Sequence, residues 1–419
     1  MRLISVSLIL TVGLIYAWRQ PATALLSGIA LPMVSLPLVV FAGHFLKYFS
    51  LGCQLLAIFA AVAIVAKSKK RNQILPLQWI ILVAFLLLLF GMVIQDSQNS
   101  ILILLIESKI VLFPIIVSGS AILGINFIRR LITTLFFLVI AGSIAAIFEI
   151  GAGTGNLISA GLLYGTNVIV STTGSLRAPG LSLTSFDFSL ISGLAVLVAL
   201  LNWSNYFVFE KKYSRKFLLI VIAAGLTGVF TSVTRSGLLF FIVAYAIYAI
   251  SNSKKIGRAI VFFYVAAAGL SIVLIKFSAF LSTSSLHQRF LLWRFLLSGR
   301  NLFYGMGLGT VGSVTNSSFT PVANRLVADN YYVNIILQFG IPGLMLFAIM
   351  LWLYWRFTDR CGKSMIVGLM VTALVTEIWE YPDFMAFLLI FVVSNGLKKN
   401  SSLTSATKIM NRHLNSSFL

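Results

Sequence analysis

Residues 278–343 read SAFLSTSSLHQRFLLWRFLLSGRNLFYGMGLGTVGSVTNSSFTPVANRLVADNYYVNIILQFGIPG. On both sides the chain alternates long apolar runs with short basic loops. Here one loop swells to roughly fifty residues, too long for an idle connection in a compact protein. It holds a short amphipathic segment, Leu286–Leu297, and a glycine-rich turn at Gly305, Gly307 and Gly309. It also holds four arginines, Arg289, Arg294, Arg300 and Arg325. It ends at Asp329-Asn330, directly before an apolar segment that carries Asn334 and Gln338. This layout puts the chemistry in and around one large loop and makes the rest a scaffold.

Working outward, 59% of the residues are hydrophobic and 10% charged, too few charges to clothe a soluble surface. Apolar runs fall at about 3–17, 22–42, 51–66, 74–94, 101–125, 131–150, 186–201, 217–232, 236–250, 259–275, 331–355, 365–379 and 384–397. They are continuous and do not alternate with period two, so they predict transmembrane helices, not a barrel. The fold expected is all-α and polytopic, with about 12 or 13 crossings in one domain, 1–397. The Ser/Thr/Asn-rich stretch 398–419 reads as a disordered cytoplasmic tail. The net charge of +21 lies mainly in short loops. The positive-inside rule accounts for it, and nucleic acid is not needed as a partner. Cys53 and Cys361 suggest neither a disulfide framework nor a metal site. Ala22-Thr23-Ala24 mimics a signal-peptidase site, but with further spans following the first run reads as a retained helix.

Lysine and arginine set the orientation. Loops carrying Lys67 to Arg71, Arg129-Arg130, Lys211 to Lys216, Lys254 to Arg258, Arg356 to Lys363 and Lys398-Lys399 should face the cytoplasm. Loops 95–100, 151–185, 233–235, 276–330 and 380–383 then face outward. Before Lys67 the parity fails, so one of the first three segments is expected to be re-entrant or interfacial.

The outward loops are rich in arginine and poor in lysine: Arg177, Arg235, Arg289, Arg294, Arg300 and Arg325, with Lys276 at a helix edge. Arginine stays charged and forks onto phosphate oxygens, so this set suits an anionic ligand. Snorkelling to lipid headgroups is the plainer role for any one of them. Pro179-Gly180 predicts a turn that sets Arg177 at the mouth of the next helix. Thr231-Ser232-Val233-Thr234-Arg235-Ser236 joins two apolar helices with almost no loop. Arg235 therefore sits at the membrane boundary, where an ionisable group is a functional candidate or half of a structural ion pair.

Asn330, Asn334 and Gln338 are spaced to share one helix face. Such a stripe lines a cavity or hydrogen-bonds a neighbouring helix. Asp329 is one of ten acids in the chain. It is placed to act as a general base toward a sugar hydroxyl, or simply to cap the helix. His287 shares a face with Arg294 and Ser298, while Phe290, Trp293 and Leu297 form another, as in a segment lying in the membrane interface. Glu377, Glu380 and Asp383 cluster near one helix end, and Glu107 and Lys109 lie in another span. Gly307-Leu308-Gly309-Thr310-Val311-Gly312 matches a dinucleotide fingerprint by letters alone, without the strand–turn–helix context, and reads as a flexible loop.

These pieces, in this order, resemble the bacterial O-antigen polymerase and O-antigen ligase superfamily. The likeness covers most of the chain in hydropathy and is sharpest from Thr231 to Trp355. It rests on Thr234-Arg235-Ser236 opening a span, Arg289…Trp293 in the large loop, Gly305-Met306-Gly307-Leu308-Gly309, and Asp329-Asn330…Gly340-Ile341-Pro342-Gly343. The resemblance implies a GT-C-like, metal-independent glycosyltransferase without a cofactor. Its expected place is the bacterial plasma membrane, and its expected partners are undecaprenyl-diphosphate-linked glycans and membrane lipids, with a flippase and a chain-length regulator of the same pathway. It assigns Arg177 and Arg235 to the donor's diphosphate. The residues themselves suggest that Arg289 or Arg294 aids them, that Asp329 orients or deprotonates the acceptor hydroxyl, and that Asn330 and Asn334 position sugar. Ligases resemble one another in having a histidine where this chain has Asp329, so a repeat-unit polymerase is favoured. The alternatives are a ligase acting on a lipid-A core or protein acceptor, a lipid-glycan flippase or transporter, and a non-enzymatic scaffold.

Overall fold

The computed structural model describes residues 12–37, 47–68, 75–94, 109–162, 164, 168–170, 174–203, 213–251, 283–298, 302–307 and 329–394. Almost all of this is helix. In chain order the helices are α1 (Pro21–Ala30), α2 (Lys47–Lys67), α3 (Leu75–Ile94), α4 (Lys109–Leu123), α5 (Ile125–Ser159) and α6 (Ser185–Trp203). There follow α7 (Arg215–Thr231), α8 (Arg235–Ser251), α9 (Thr283–Leu297), α10 (Tyr331–Phe357), α11 (Arg360–Ala373) and α12 (Pro382–Ser394). Among the described residues the one sheet is a hairpin of β1 (Ile169–Val170) and β2 (Leu176–Arg177), with Ile169 opposite Arg177.

Three of the described helices, α5, α6 and α10, are long and apolar enough to cross a membrane. At 1.5 Å per residue the 19 residues of α6 reach roughly 28 Å, close to the thickness of a hydrocarbon core. The surface agrees. Phe137, Ile144, Ile147 and Phe148 of α5 lie exposed, Phe148 by 72%. Meanwhile Ser185, Ser189, Ser192, Asn334 and Gln338 are buried. Apolar groups outside and polar groups inside suit lipid as the solvent. The chain is an all-α membrane protein.

The central helix is α6. It packs against α7 and α8, α8 packs on α11, and α5 lies over α7. On the other flank α2 packs on α1 and α4, while α3 joins α4 to α10. Small residues set the closest approach. Ser185, Ser189 and Gly193 recur every four residues along one stripe of α6. A Cβ on Gly193 would lie 2.3 Å from the Gly237 carbonyl oxygen, and one on Gly237 2.0 Å from that of Ser189. A methyl at either position has no room unless α6 and α8 separate.

Several element boundaries differ from the expected ones. The basic pair Arg129-Arg130 lies inside α5 and not in a loop, because the chain reverses at Gly124 (φ 73°) and resumes helix at once. At its other end α5 runs on to Ser159 across a break at Gly153 (φ 77°), into what reads as an outward loop. The expected run 22–42 is interrupted: α1 gives way at Leu31–Val34 to a 3-10 turn containing Pro32. The expected run 365–379 is split, α11 ending at Ala373 and a 3-10 turn forming at Ile378–Glu380. The run 259–275, the tail 398–419 and residues 308–328 lie outside the described residues.

Candidate functional site

The hairpin carrying β2 is tied down on both sides of Arg177. The Ala178 N–H donates to the Thr231 carbonyl at 3.1 Å, joining the strand to the last turn of α7. Then Pro179-Gly180 turns the chain, as expected. Gly180 takes φ +62°, and a Cβ there would sit 2.8 Å from the Gly142 carbonyl oxygen of α5. Its N–H donates to Glu149 Oε2 at 2.9 Å. This turn delivers the chain to the start of α6, with Arg177 at its mouth. The Arg177 guanidinium lies over the Phe186 ring, 5.7 Å from its centroid. Phe186 in turn stacks on Tyr381, centroids 6.3 Å apart and planes 18° from parallel.

Thr231, which holds the Arg177 strand, also opens the tight turn into Arg235. That turn is strained. Val233 has φ 50°, a left-handed conformation that a β-branched side chain rarely adopts. Such a residue persists only where surrounding contacts over-determine it, at a cost of about 1–3 kcal/mol. Arg235 is the first residue of α8 and is half-buried. The two arginines therefore flank one rigid turn.

Acids sit close by. Asp187 is the neighbour of Phe186 and is buried, as are Asp383 and Glu377. The Asp187 carboxyl hydrogen-bonds to Asp383 and accepts the backbone N–H of Phe384, at the start of α12. Glu149 and Asp187 escaped the sequence reading, although each is an acid within a long apolar run. That alone marks a residue as a functional candidate. Phe186 and Tyr381 carried no sequence signal, because aromatic residues in apolar runs are usually core.

Segment 377–383 links this corner to the entrance of α10. The Trp379 ring stacks on Tyr331 at 5.9 Å and 19°, and meets Phe347 edge-on at 5.2 Å. Tyr331 directly follows Asp329-Asn330. Tyr381 thus faces the arginine corner and Trp379 the α10 entrance, two residues apart.

At that entrance the cap is Asn330, not Asp329. Asn330 is extended (φ −150°), and its Oδ1 accepts the N–H groups of Tyr332 and Val333 at 2.9 and 3.2 Å. Asp329 takes φ 48°. Val233 and Asp329 are the non-glycine residues with positive φ among the described residues; the first lies two residues before Arg235, and the second is itself the residue read as the base. Asn330, Asn334 and Gln338 do share a buried face. Within the stripe the Gln338 Nε2 donates to Asn334 Oδ1.

The large loop docks on this helix. At Gly340 (φ +67°) α10 opens, just before Pro342. The loop fills the gap: Met306 N–H reaches the Leu337 carbonyl at 2.7 Å and Gly307 N–H that of Gln338 at 3.0 Å. In return Ile341 N–H donates to the Leu302 carbonyl at 3.0 Å. The glycine turn at 305–307 is fixed, and the fingerprint residues 308–312 lie outside the described residues. Helix α9 seats Leu296 against Val333 and Leu337, with Trp293, Leu297 and Met306 around it. The expected apolar face changes accordingly: Leu296 is the buried anchor, whereas Phe290 is 61% exposed and touches Trp293 edge-on. Arg294 is exposed on the same helix. The side chains of His287 and Arg289, and residues Arg300 and Arg325, lie outside the described residues. The structure thus places Arg177 and Arg235 on either side of the turn that begins at Thr231, and Asp329, Asn330, Asn334 and α9 at one helix entrance. The aromatic segment 379–381 stands between the two groups.

Over 194 residues the chain is 28% identical to a protein of Salmonella muenchen named O-antigen polymerase. The match covers 43% of this chain and 47% of that one, so it spans about half the length of the curated relative. No family model matches the chain, and no solved structure matches it.

Proposed function

We propose that the chain is a glycosyltransferase of the bacterial plasma membrane, crossing it many times. It would polymerise undecaprenyl-diphosphate-linked oligosaccharide repeat units into surface polysaccharide at the outer face. The observation that carries this reading is the placement of strained backbone at Val233 and Asp329. The first lies in the turn before Arg235, one of an arginine pair suited to diphosphate, and the second is itself the carboxylate suited to a hydroxyl. The relative's name supports it from a separate direction.

In the proposed step an acceptor sugar hydroxyl oxygen attacks the anomeric carbon of the donor glycan. The bond from that carbon to the diphosphate oxygen breaks. Arg177 and Arg235, aided by Arg289 or Arg294, neutralise the departing diphosphate, so the protein's own charges do the work a metal would. The hydroxyl proton passes to Asp329. The left-handed backbone at Asp329 and the cap at Asn330 hold that carboxylate at the helix mouth. Asn330 and Asn334 help hold the acceptor sugar. The half-buried rings of Phe186 and Tyr381 fix Arg177 from one side, which limits its rotamers before substrate arrives.

A strain lacking the protein tests the reading. A polymerase predicts loss of polymer with single-repeat glycan still attached to its final acceptor. Uncapped acceptor with accumulated lipid-linked polymer would instead mean a ligase. Repeat units trapped on the cytoplasmic side would mean a flippase.

A further inference from the structure

An open groove of about 770 Å³ lies between α5 and α1, far from the arginine corner. Its lining runs along one stretch of α5, with Leu26 of α1 on the other side. Arg129 and Glu149 are 20 residues apart on one helix, about 30 Å at 1.5 Å per residue. The groove and the Glu149–Gly180 contact therefore lie a bilayer's thickness apart.

The lining is graded along one face. Arg129 and Arg130 stand at the helix start, Thr133 and Thr134 one turn on, Phe137 and Leu138 a turn further, and Ala141 beyond. Among the described residues no acid lines the groove. The helix dipole, positive at this end, adds to the arginines' charge and does not offset it. Arg130 is exposed, while Arg129 is half-buried and donates to Asn126 Oδ1 at 3.4 Å. Thr133 is held by the Arg129 carbonyl and the Tyr213 hydroxyl, both at 2.8 Å.

We infer that this groove is a binding site for an anionic ester phospholipid. The sequence charge, then hydroxyl, then hydrocarbon follows the order of such a lipid: phosphate, ester carbonyls, acyl chain. Arg129 and Arg130 meet the phosphate, Thr134 donates to an ester carbonyl, and Phe137 with Leu138 lies along the chain. A polyprenyl phosphate also offers phosphate and hydrocarbon but has no ester layer, so the threonine tier favours the phospholipid. The volume is of the size that holds a headgroup and the first part of a chain. The site lies away from the proposed chemistry and would anchor α5 at the opposite membrane face.

The test uses the full-length protein purified in detergent, with lipid retention read by native mass spectrometry. Phosphatidylglycerol should be retained over phosphatidylcholine, and the preference should weaken as salt rises. Arg130→Gln should weaken phosphatidylglycerol retention about fivefold, and Arg129→Gln with Arg130→Gln about thirtyfold, at roughly one arginine's surface contribution each. Thr134→Val should weaken phosphatidylglycerol without changing any retention of polyprenyl monophosphate. Arg130 is exposed, so its single variant is expected to fold even if the double variant does not. Equal retention of the two phospholipids by wild type, or no effect of Arg130→Gln, would overturn the inference. So would displacement of phosphatidylglycerol by equimolar polyprenyl monophosphate.

Discussion

Gly305 and Gly340 lie backbone against backbone. A Cβ built on Gly305 would meet the Gly340 nitrogen at 2.6 Å, and one on Gly340 would meet the Phe303 carbonyl oxygen at 2.1 Å. Both residues take positive φ, 76° and 67°. The large loop and α10 are thus joined by main chain, at the point where α10 opens. Gly340→Ala should cost more than about 1 kcal/mol from the backbone conformation alone, and further from the clash. Its melting midpoint in detergent should fall, and limited proteolysis should cut within 298–330 sooner than in wild type. An unchanged protease pattern would mean that the loop is held elsewhere.

Asn330 and Asp329 separate stability from chemistry. Asn330→Ala removes the cap of α10 and should lower stability by about 1 kcal/mol. Asp329→Asn keeps a residue that tolerates the left-handed conformation and leaves the cap intact. It should unfold like wild type yet lose polymer in cells. A stability loss in Asp329→Asn equal to that of Asn330→Ala would make the carboxylate structural.

Arg177 over Phe186 predicts that charge alone is not enough. Arg177→Ala should lower polymer formation by about 10²–10³, the usual cost of removing one donor to a developing anion. Arg177→Lys keeps the charge but loses the fork and the flat stacking face. It should remain roughly five- to thirtyfold below wild type, matching about 1–2 kcal/mol of lost cation–π contact and geometry. Full activity in Arg177→Lys would show that only a point charge is needed.

Glu149 supports the turn, its Oε2 accepting the Gly180 N–H. Glu149→Leu leaves the Gly180 N–H buried without its acceptor and should cost about 1–3 kcal/mol. Glu149→Gln retains an acceptor oxygen and should stay within about 1 kcal/mol of wild type. The measurement is again the melting midpoint, with polymer formed per folded protein unchanged in Glu149→Gln.

The sequence conveyed composition well and termination poorly. Continuous apolar runs required helices in lipid, and Pro179-Gly180 required a turn before α6. Gly124 and Gly153 were harder, because a single glycine in an apolar run is common and only the surrounding packing decides whether the helix breaks there. The spacing of Asn330, Asn334 and Gln338 gave the shared face. It could not give the hydrogen bond from Gln338 to Asn334 along the same helix. At Asp329-Asn330 both side chains cap well, so the choice between them depends on backbone angles. The Asp187–Asp383 contact joins residues nearly two hundred positions apart, and no local pattern encodes such a meeting. The arginines were legible singly, but their convergence on Thr231 depends on one strand hydrogen bond.

The most direct measurement is reconstitution. Purified full-length protein in liposomes would be given a synthetic undecaprenyl-diphosphate repeat unit, with products resolved by chain length. A ladder of polymers from wild type, none from Arg235→Ala or Asp329→Ala, and normal membrane insertion of both variants is the result predicted here. Normal ladders from both variants would contradict it.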